Sequence, residues 1–406
     1  MFRKLHWWIV LLSVGLMPAG GTARAQDYAL PDPNLPFPLG STRPEDGGFF
    51  VNMGFAMYRQ TNPLNGQAVA YRGLMDFDGS ITAIFNPTAT FGGRVFYGNG
   101  QKALDVQQVS GPNGYSPGFT VDLGWKFGDN SAITFSWLYL FNQRKTAVAT
   151  LVPPEFDVGA DLANTFLFSP VFNFPPEYAG PVDVPNTSTS GTGDGVRAFG
   201  VWNGAEVMTL AYEQKFQQLE MTFRETIYQS ECFRLNGVVG PRFAWFWERL
   251  KWTTIDYDFV GATDPTWVGI YTNIISNRMY GAHAGFQSEY YLGHGFACML
   301  DGQGALYLNV VKKRAKYELG AKWAPPANKR ALTDYTVAAE LQATAALMWY
   351  PTEGIQMKIG YDLMAFFNTV SMKEAIDFNY SALTPEYTQG RIRFLDGIQA
   401  SIALSF

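Results

Sequence analysis

Little in this chain points to disulfides, metals or nucleic acid. It has two cysteines, Cys232 and Cys298, too few for a disulfide framework. They could pair with each other or simply fill wall positions. Three histidines leave little for a metal centre, and none falls with Cys or Asp at zinc spacing. Charged residues make up 16% of the chain and the net charge is −5, so no basic surface for nucleic acid is expected. After the first 25 residues no apolar run reaches the roughly 18 residues that a spanning helix needs. That excludes a bundle of membrane helices.

The first 25 residues follow a different logic. A positive start, "MFRK", precedes a short apolar run, "LHWWIVLLSVGLMPAG", and the small-residue sequence Ala23–Arg24–Ala25. This order reads as a secretory signal peptide over 1–25, cleaved before Gln26. Loss of Arg3, Lys4 and Arg24 makes the mature chain more negative still. Residues 26–47 carry five prolines and read as an extended lead-in.

What the chain has in quantity is glycine (41 residues), aromatic side chains (16%) and alternation. In "FTVDLGWKF" (119–127) Phe119, Val121, Leu123, Trp125 and Phe127 share one face, and Thr120, Asp122 and Lys126 share the other. The turn "GDN" follows, and Ile133, Phe135, Trp137, Tyr139 and Phe141 again share a face. Two period-two runs around a tight polar turn make a hairpin. The pattern recurs at 233–250, 295–310, 335–350 and 355–367. Parity weakens near Lys215–Gln217, where a bulge is expected. Short connections ("GDN", 229–231, 293–294, 351–354) alternate with long ones (142–202, 252–273, 312–332, 370–388). Short turns at one end and long loops at the other are the plan of an outer-membrane barrel.

The C-terminus fits that plan. "DGIQASIALSF" ends on alternation, with Ile398, Ala400, Ile402, Leu404 and Phe406 on one face. In lipid every backbone group needs a partner within the protein, so the last strand must pair with the first. Leu404 and Phe406 also form the expected signal for barrel-assembly machinery. The expected fold is all-β: one antiparallel transmembrane β-barrel over 48–406, with about twelve strands (10–14), short periplasmic turns and long extracellular loops. Six strands lie from 233 onward, one at 203–228, two at 118–141 and three within 48–97.

Two stretches carry a family resemblance. The run Asn277, Tyr280, Gly281 and Gly285, with the Gly-ended strand after it, is similar to planctomycete-type β-barrel porins. Gly240–Pro241–Arg242 resembles the Gly-x-Arg strand of that family. The hairpin at 117–141 resembles, more distantly, the Legionella-type major outer-membrane proteins. The resemblance covers about 117–370 and implies an outer-membrane, pore-forming barrel without a catalytic motif.

The residues themselves offer little chemistry of catalysis. His283 and Ser288 fall on opposite faces of one strand, and His294 sits in a turn, so no nucleophile–base pair forms. "GTGDG" (191–195) lacks the lysine of a phosphate loop. No enzyme activity and no cofactor are expected. "KKRAK" (312–316) reads as a basic rim, or as a contact for acidic sugars of an outer leaflet.

The inward face is therefore the candidate site. By parity it holds Asp122, Lys126, Glu220, Arg224, Arg234, Arg242, Glu248, Asp301, Gln303, Glu340, Lys358, Asp362, Arg391 and Arg393. Opposed charges across a lumen select what passes, and the near balance of signs gives no ion preference. A porin passing small solutes by passive diffusion is the leading reading. The alternative is a structural or adhesive barrel whose charges pair and plug the lumen, with partner-binding loops. Expected partners are outer-membrane lipid, the assembly machinery and small solutes, with no nucleic acid. A homo-oligomer is compatible with the pattern. The long segment 142–202 would either constrict the barrel or bind outside it.

Overall fold

The computed structural model describes residues 48–61, 64–76, 95–110, 114–127, 131–150, 165–173, 202, 205, 207–230, 232–255, 268–319, 328–352 and 354–405. The signal peptide, the proline-rich lead-in, "GTGDG" and Phe406 lie outside these residues.

Alternating sequence becomes strand wherever both faces can be used. The strands are β1 (Gly48–Gln60), β2 (Ala68–Asp76), β3 (Val95–Asp105), β4 (Tyr115–Lys126), β5 (Ala132–Thr150), β6 (Thr165–Phe168) and β7 (Val207–Gln229). They continue with β8 (Phe233–Ile255), β9 (Val268–Gly293), β10 (Phe296–Leu319), β11 (Asn328–Thr352), β12 (Ile355–Glu374) and β13 (Glu386–Ser405). Among the described residues, ten of them close a barrel in the order β1-β13-β12-β11-β10-β9-β8-β7-β5-β4. β13 pairs with β1 from Leu395↔Gln60 to Ser405↔Phe50, so the terminal strand is the closing seam.

The ring thus has the low end of the expected strand number. Three strands do form near the N-terminus, but only β1 enters the wall. Its two edges are taken by β13 and by β4. β2 and β3 are left without a wall edge and join β6 in a separate three-stranded sheet. The bulge also moves. The register shift lies between Leu140 and Gln143, so the extra residue is in β5, opposite Phe216 and Gln214 of β7.

The two faces separate as the alternation demands. Leu300, Leu306 and Val337 are 62%, 69% and 65% exposed, whereas the neighbouring Tyr307 and Ala338 are 2% and 1% exposed. Both cysteines are free, with Cys298 exposed on the outer face of β10 and Cys232 in a turn. The turns of one end are tight. Gly293, His294 and Gly295 all take positive φ (90°, 54°, 78°), which glycine allows on either side of the histidine.

The opposite end departs from the expected long loops. β8, β9, β10 and β11 run for 23, 26, 24 and 25 residues, against roughly 9–11 needed to cross a bilayer. Parts of 252–273 and 312–332, and the two ends of 370–388, are therefore continued ladder. β5 likewise takes residues 142–150 of the expected long segment, and β6 takes 165–168. The sheet of β2, β3 and β6 packs here through Val69, Ala70, Leu104 and Leu167, all in one buried cluster with Trp202 and Trp252.

Candidate functional site: the lumen and its cap

β8 orders the interior from the turn end upward. Its inward residues are Arg234, Asn236, Val238, Gly240, Arg242, Ala244, Phe246, Glu248, Leu250 and Trp252. Polar and apolar levels alternate along this one strand, and other strands complete each level.

At the turn end Arg234 is 1% exposed and faces Glu289 across the β8–β9 ladder. Lys126 is buried nearby at the end of β4. An apolar cluster of Ala297, Met299, Ala346, Met348 and Tyr350 occupies the same end. Above it lies a polar cavity of about 160 Å³, into which Asp122, Arg224, Asp301, Lys358 and Asp362 project. Asn52 donates to Asp122 at 2.6 Å, and the Tyr58 hydroxyl donates to Asp362.

Arg242 stands beside this cavity and holds Glu220, Gln303 and Gln342 of its lining. Its guanidinium contacts Glu220 at 2.6 Å on the adjacent β7 and Glu340 at 3.3 Å on β11, with the Arg242 and Glu340 side chains both 0% exposed. It also donates to Gln342 at 3.0 Å and to Gln303, and Tyr307 donates its hydroxyl to Glu340. Two carboxylates around one cation, each with further donors, satisfy the demand that buried charges be paired. The neighbouring glycine makes room. A Cβ on Gly281, opposite Arg242 in the ladder, would stand 1.9 Å from the Leu306 carbonyl oxygen. This close approach accounts for a glycine within the family-like run 277–285.

An aromatic level follows. Phe216, Phe246 and Phe366 meet with ring centroids 4.7, 5.8 and 4.9 Å apart, joined by Tyr58, Met279 and Leu395. Directly above, Arg393 of β13 forms a bidentate ion pair with Glu248 of β8. These strands are five places apart in the ring of ten, so the pair crosses the full diameter of the lumen. Both side chains are 1% exposed. Arg393 also stacks over Phe246 at 5.1 Å and donates to the Val370 carbonyl at 2.9 Å.

That last bond begins the cap. β12 shifts register at Thr369, and residues 370–385 fold inward across the mouth. Ala375, Ile376, Tyr380 and Leu383 are all at most 2% exposed. Asn277 brackets Val370, donating to its carbonyl at 2.9 Å and accepting from its N–H at 3.1 Å. Gln67 does the same to Ile376 at 2.6 and 3.0 Å. Asn273 holds Ala375, the Tyr271 hydroxyl accepts from Asp377, and Asn328 holds Tyr380. Tyr380 stacks on Tyr317 at 4.3 Å and stands edge-on to Trp202 at 5.1 Å. Burial, then the neighbouring Tyr271 and Tyr317, pushes the Tyr380 hydroxyl well above its ordinary pKa.

Most of the residues expected to face inward do so, and the structure brings Arg242, Gln303 and Glu340 into one network. Arg391 shares the face of Arg393 in β13 but stands at the rim, where it donates to Asn65 at 3.1 Å. Leu404 lies on the outer face of β13, and Phe406 is outside the described residues. Sequence reasoning missed Glu289, Tyr58, Tyr307 and the whole cap. Glu289 shares parity with Gln287 in an alternating strand and was legible in principle. Inward tyrosines are hidden by their apolar bulk. His283 is 1% exposed inside the barrel, 3.1 Å from the Thr222 hydroxyl, while Ser288 faces outward and donates to the Leu300 carbonyl. The two remain on opposite faces.

A closed antiparallel ring with an apolar exterior and a polar interior is an outer-membrane β-barrel, since lipid tolerates no open sheet edge. Residues 74–388 match the model of the Legionella pneumophila major outer membrane protein precursor family, and the chain belongs to that family. No curated protein sequence matches it. Among solved structures, the outer membrane protease OmpT of Escherichia coli aligns with 88% of this chain and 97% of its own, at 8% identity and TM-score 0.41. A major outer membrane protein of Thermus thermophilus aligns with 89% and 100%, at 9% identity and TM-score 0.29. A Pseudomonas aeruginosa FadL homologue aligns with 89% and 90%, at 8% identity and TM-score 0.24.

The membrane assignment of the faces has a direct test. Leu300 stands on the lipid side, four residues above the turn-end start of β10. Leu300→Arg is expected to cost about 2–4 kcal/mol, measured as a lowered urea midpoint in lipid vesicles. A midpoint equal to wild type would overturn the assignment of that face.

Proposed function

We propose that the protein is an occluded barrel of the outer membrane, a wall protein that carries a tightly built cap to the cell exterior, rather than an open diffusion pore. The Arg393–Glu248 pair carries this reading. A buried ion pair across the whole diameter, with an aromatic level below and a latched segment above, leaves no continuous water path at that height. Charges that selected passing solutes would need contact with water. Export through a cleaved leader, delivery by the barrel-assembly machinery and the absence of catalysis belong to the same reading. So does the nearer likeness to planctomycete-type barrels, supported by Gly281 and Arg242.

One observation favours passive diffusion of small solutes as a second reading. The polar cavity beside Arg242 would serve as the vestibule of a channel whose cap is displaced. Planar-bilayer recording of the full-length protein separates the two. We expect no stepwise conductance from wild type. Regular steps in wild type would overturn the occluded barrel and favour the porin.

A further inference from the structure

The outer wall above the apolar band carries an unbalanced charge. Strands β5 and β7–β11 place outward residues in level rows, fixed by the ladder registers. Leu219, Phe243, Tyr280, Leu308 and Val337 make an apolar row. The next row sets Arg278 between Trp245 and Val310, with Tyr335 beyond. Above it, Lys215 and Lys312 flank Trp247 and Ser276. The third row holds Arg144, Glu213, Arg249 and Arg314. The fourth holds Lys251, Lys316 and Lys329. Nine cations thus stand against two acids: Glu213, which Arg249 meets at 2.8 Å and Arg144 at 3.9 Å, and Glu318, which Lys316 meets at 2.7 Å. "KKRAK" divides accordingly: Lys313 pairs with Asp334 at 2.6 Å on the other face, while Lys312, Arg314 and Lys316 join the belt.

Position and charge together select the occupant. The belt starts at the tryptophan and tyrosine level that bounds the apolar band, where lipid headgroups lie. Its side chains point away from the barrel axis, and its four rows span about 20 Å along the strands. On the far side of the ring, by contrast, Arg59 is neutralised by Asp396 at 2.9 Å. We propose that the outer surface of β5 and β7–β11 binds phosphate-bearing lipid headgroups of the outer leaflet. Arginine offers phosphate a bidentate fork and lysine a point charge, and clustered cations beside an apolar band are the pattern that holds anionic lipid. This inference rests on the membrane barrel and is independent of whether the lumen conducts.

The test uses the full-length barrel in detergent, with native mass spectrometry reading bound lipid. The probes are diphosphoryl lipid A, phosphatidylcholine and, as a soluble polyanion, heparin. Wild type is expected to retain diphosphoryl lipid A roughly tenfold over phosphatidylcholine, and to lose that preference as salt is raised. The triple variant Lys312→Gln, Arg314→Gln, Lys316→Gln should lose most of the preference while keeping its heat-modifiable gel migration. Lys373→Gln, paired with Glu386 outside the belt, should retain it. No preference in wild type, a salt-independent preference, or a folded triple variant that binds as wild type would overturn the proposal. Heparin displacing the lipid at equal charge concentration would overturn the lipid as occupant. Should the triple variant not fold, the wild-type preference and its salt dependence still decide.

Discussion

Replacing Arg393 with methionine is expected to lower barrel stability by about 3–5 kcal/mol, because Glu248 is left buried with its main cation gone. The donors that remain to Glu248, the neutral Tyr212 hydroxyl and Gln214 at 3.4 Å, carry no charge. Methionine keeps the length of the side chain and its contact with Phe246, so the loss reports the charge rather than a cavity. The double variant Arg393→Met, Glu248→Met should recover most of the loss, since an ion pair replaced by apolar groups of similar volume is close to neutral. The measurement is the urea midpoint of heat-modifiable migration in detergent for the wild type, both single variants and the double. An Arg393→Met barrel as stable as wild type would show that the pair does not close the lumen. The Val370 carbonyl loses its guanidinium donor in the same variant, so the cap should loosen together with the level beneath it.

The wall was legible because its signal is local. Alternation at 119–141 and from 233 onward reflects a lipid side and an inner side, and each residue reports its side by its own polarity. Of the residues that parity assigns inward, Asp122, Arg224, Asp301 and Asp362 line the inner cavity, and Arg234 and Arg242 are buried within the ring. Parity failed where polarity and direction part company. Tyr58, Tyr307 and Phe246 look like lipid-facing residues, yet they fill the lumen, because a ten-stranded ring encloses a narrow space that aromatic rings complete. Arg391 shares the face of Arg393, two residues away, but it stands at the rim, where parity alone does not tell lumen from mouth. β2 and β3 looked like wall because strand character says nothing about which edge is available.

Charge balance on the inner face was legible, but its consequence was not. Seven bases and six acids could line a wet channel or neutralise one another. The difference depends on whether partners meet across the ring. Arg393 and Glu248 are 145 residues apart in sequence and on opposite walls, so only the closed ring brings them together. The same holds for the cap. Asn273, Asn277 and Gln67 read as ordinary polar strand and loop residues, and their role exists only once residues 370–385 fold back between them.

Tyr380→Ala is expected to release the cap while leaving the wall intact. The tyrosine is 0% exposed, and its ring is held by Tyr317, Tyr271 and Trp202. Truncating a buried aromatic of this size costs on the order of 3–5 kcal/mol. The cap is a single inward fold of chain, so that cost falls on its local opening rather than on the ladder of the ring. The backbone N–H groups of Ile376 and Asp377, now bound to Gln67 and the Tyr271 hydroxyl, should exchange with solvent orders of magnitude faster. Trypsin should cut after Lys373, already exposed at the cap's entry. Amides of β10 and β11 should keep wild-type protection. Unchanged exchange at Ile376 and Asp377 would mean that the polar latches alone hold the segment, and that the stacked rings contribute nothing to closing the mouth.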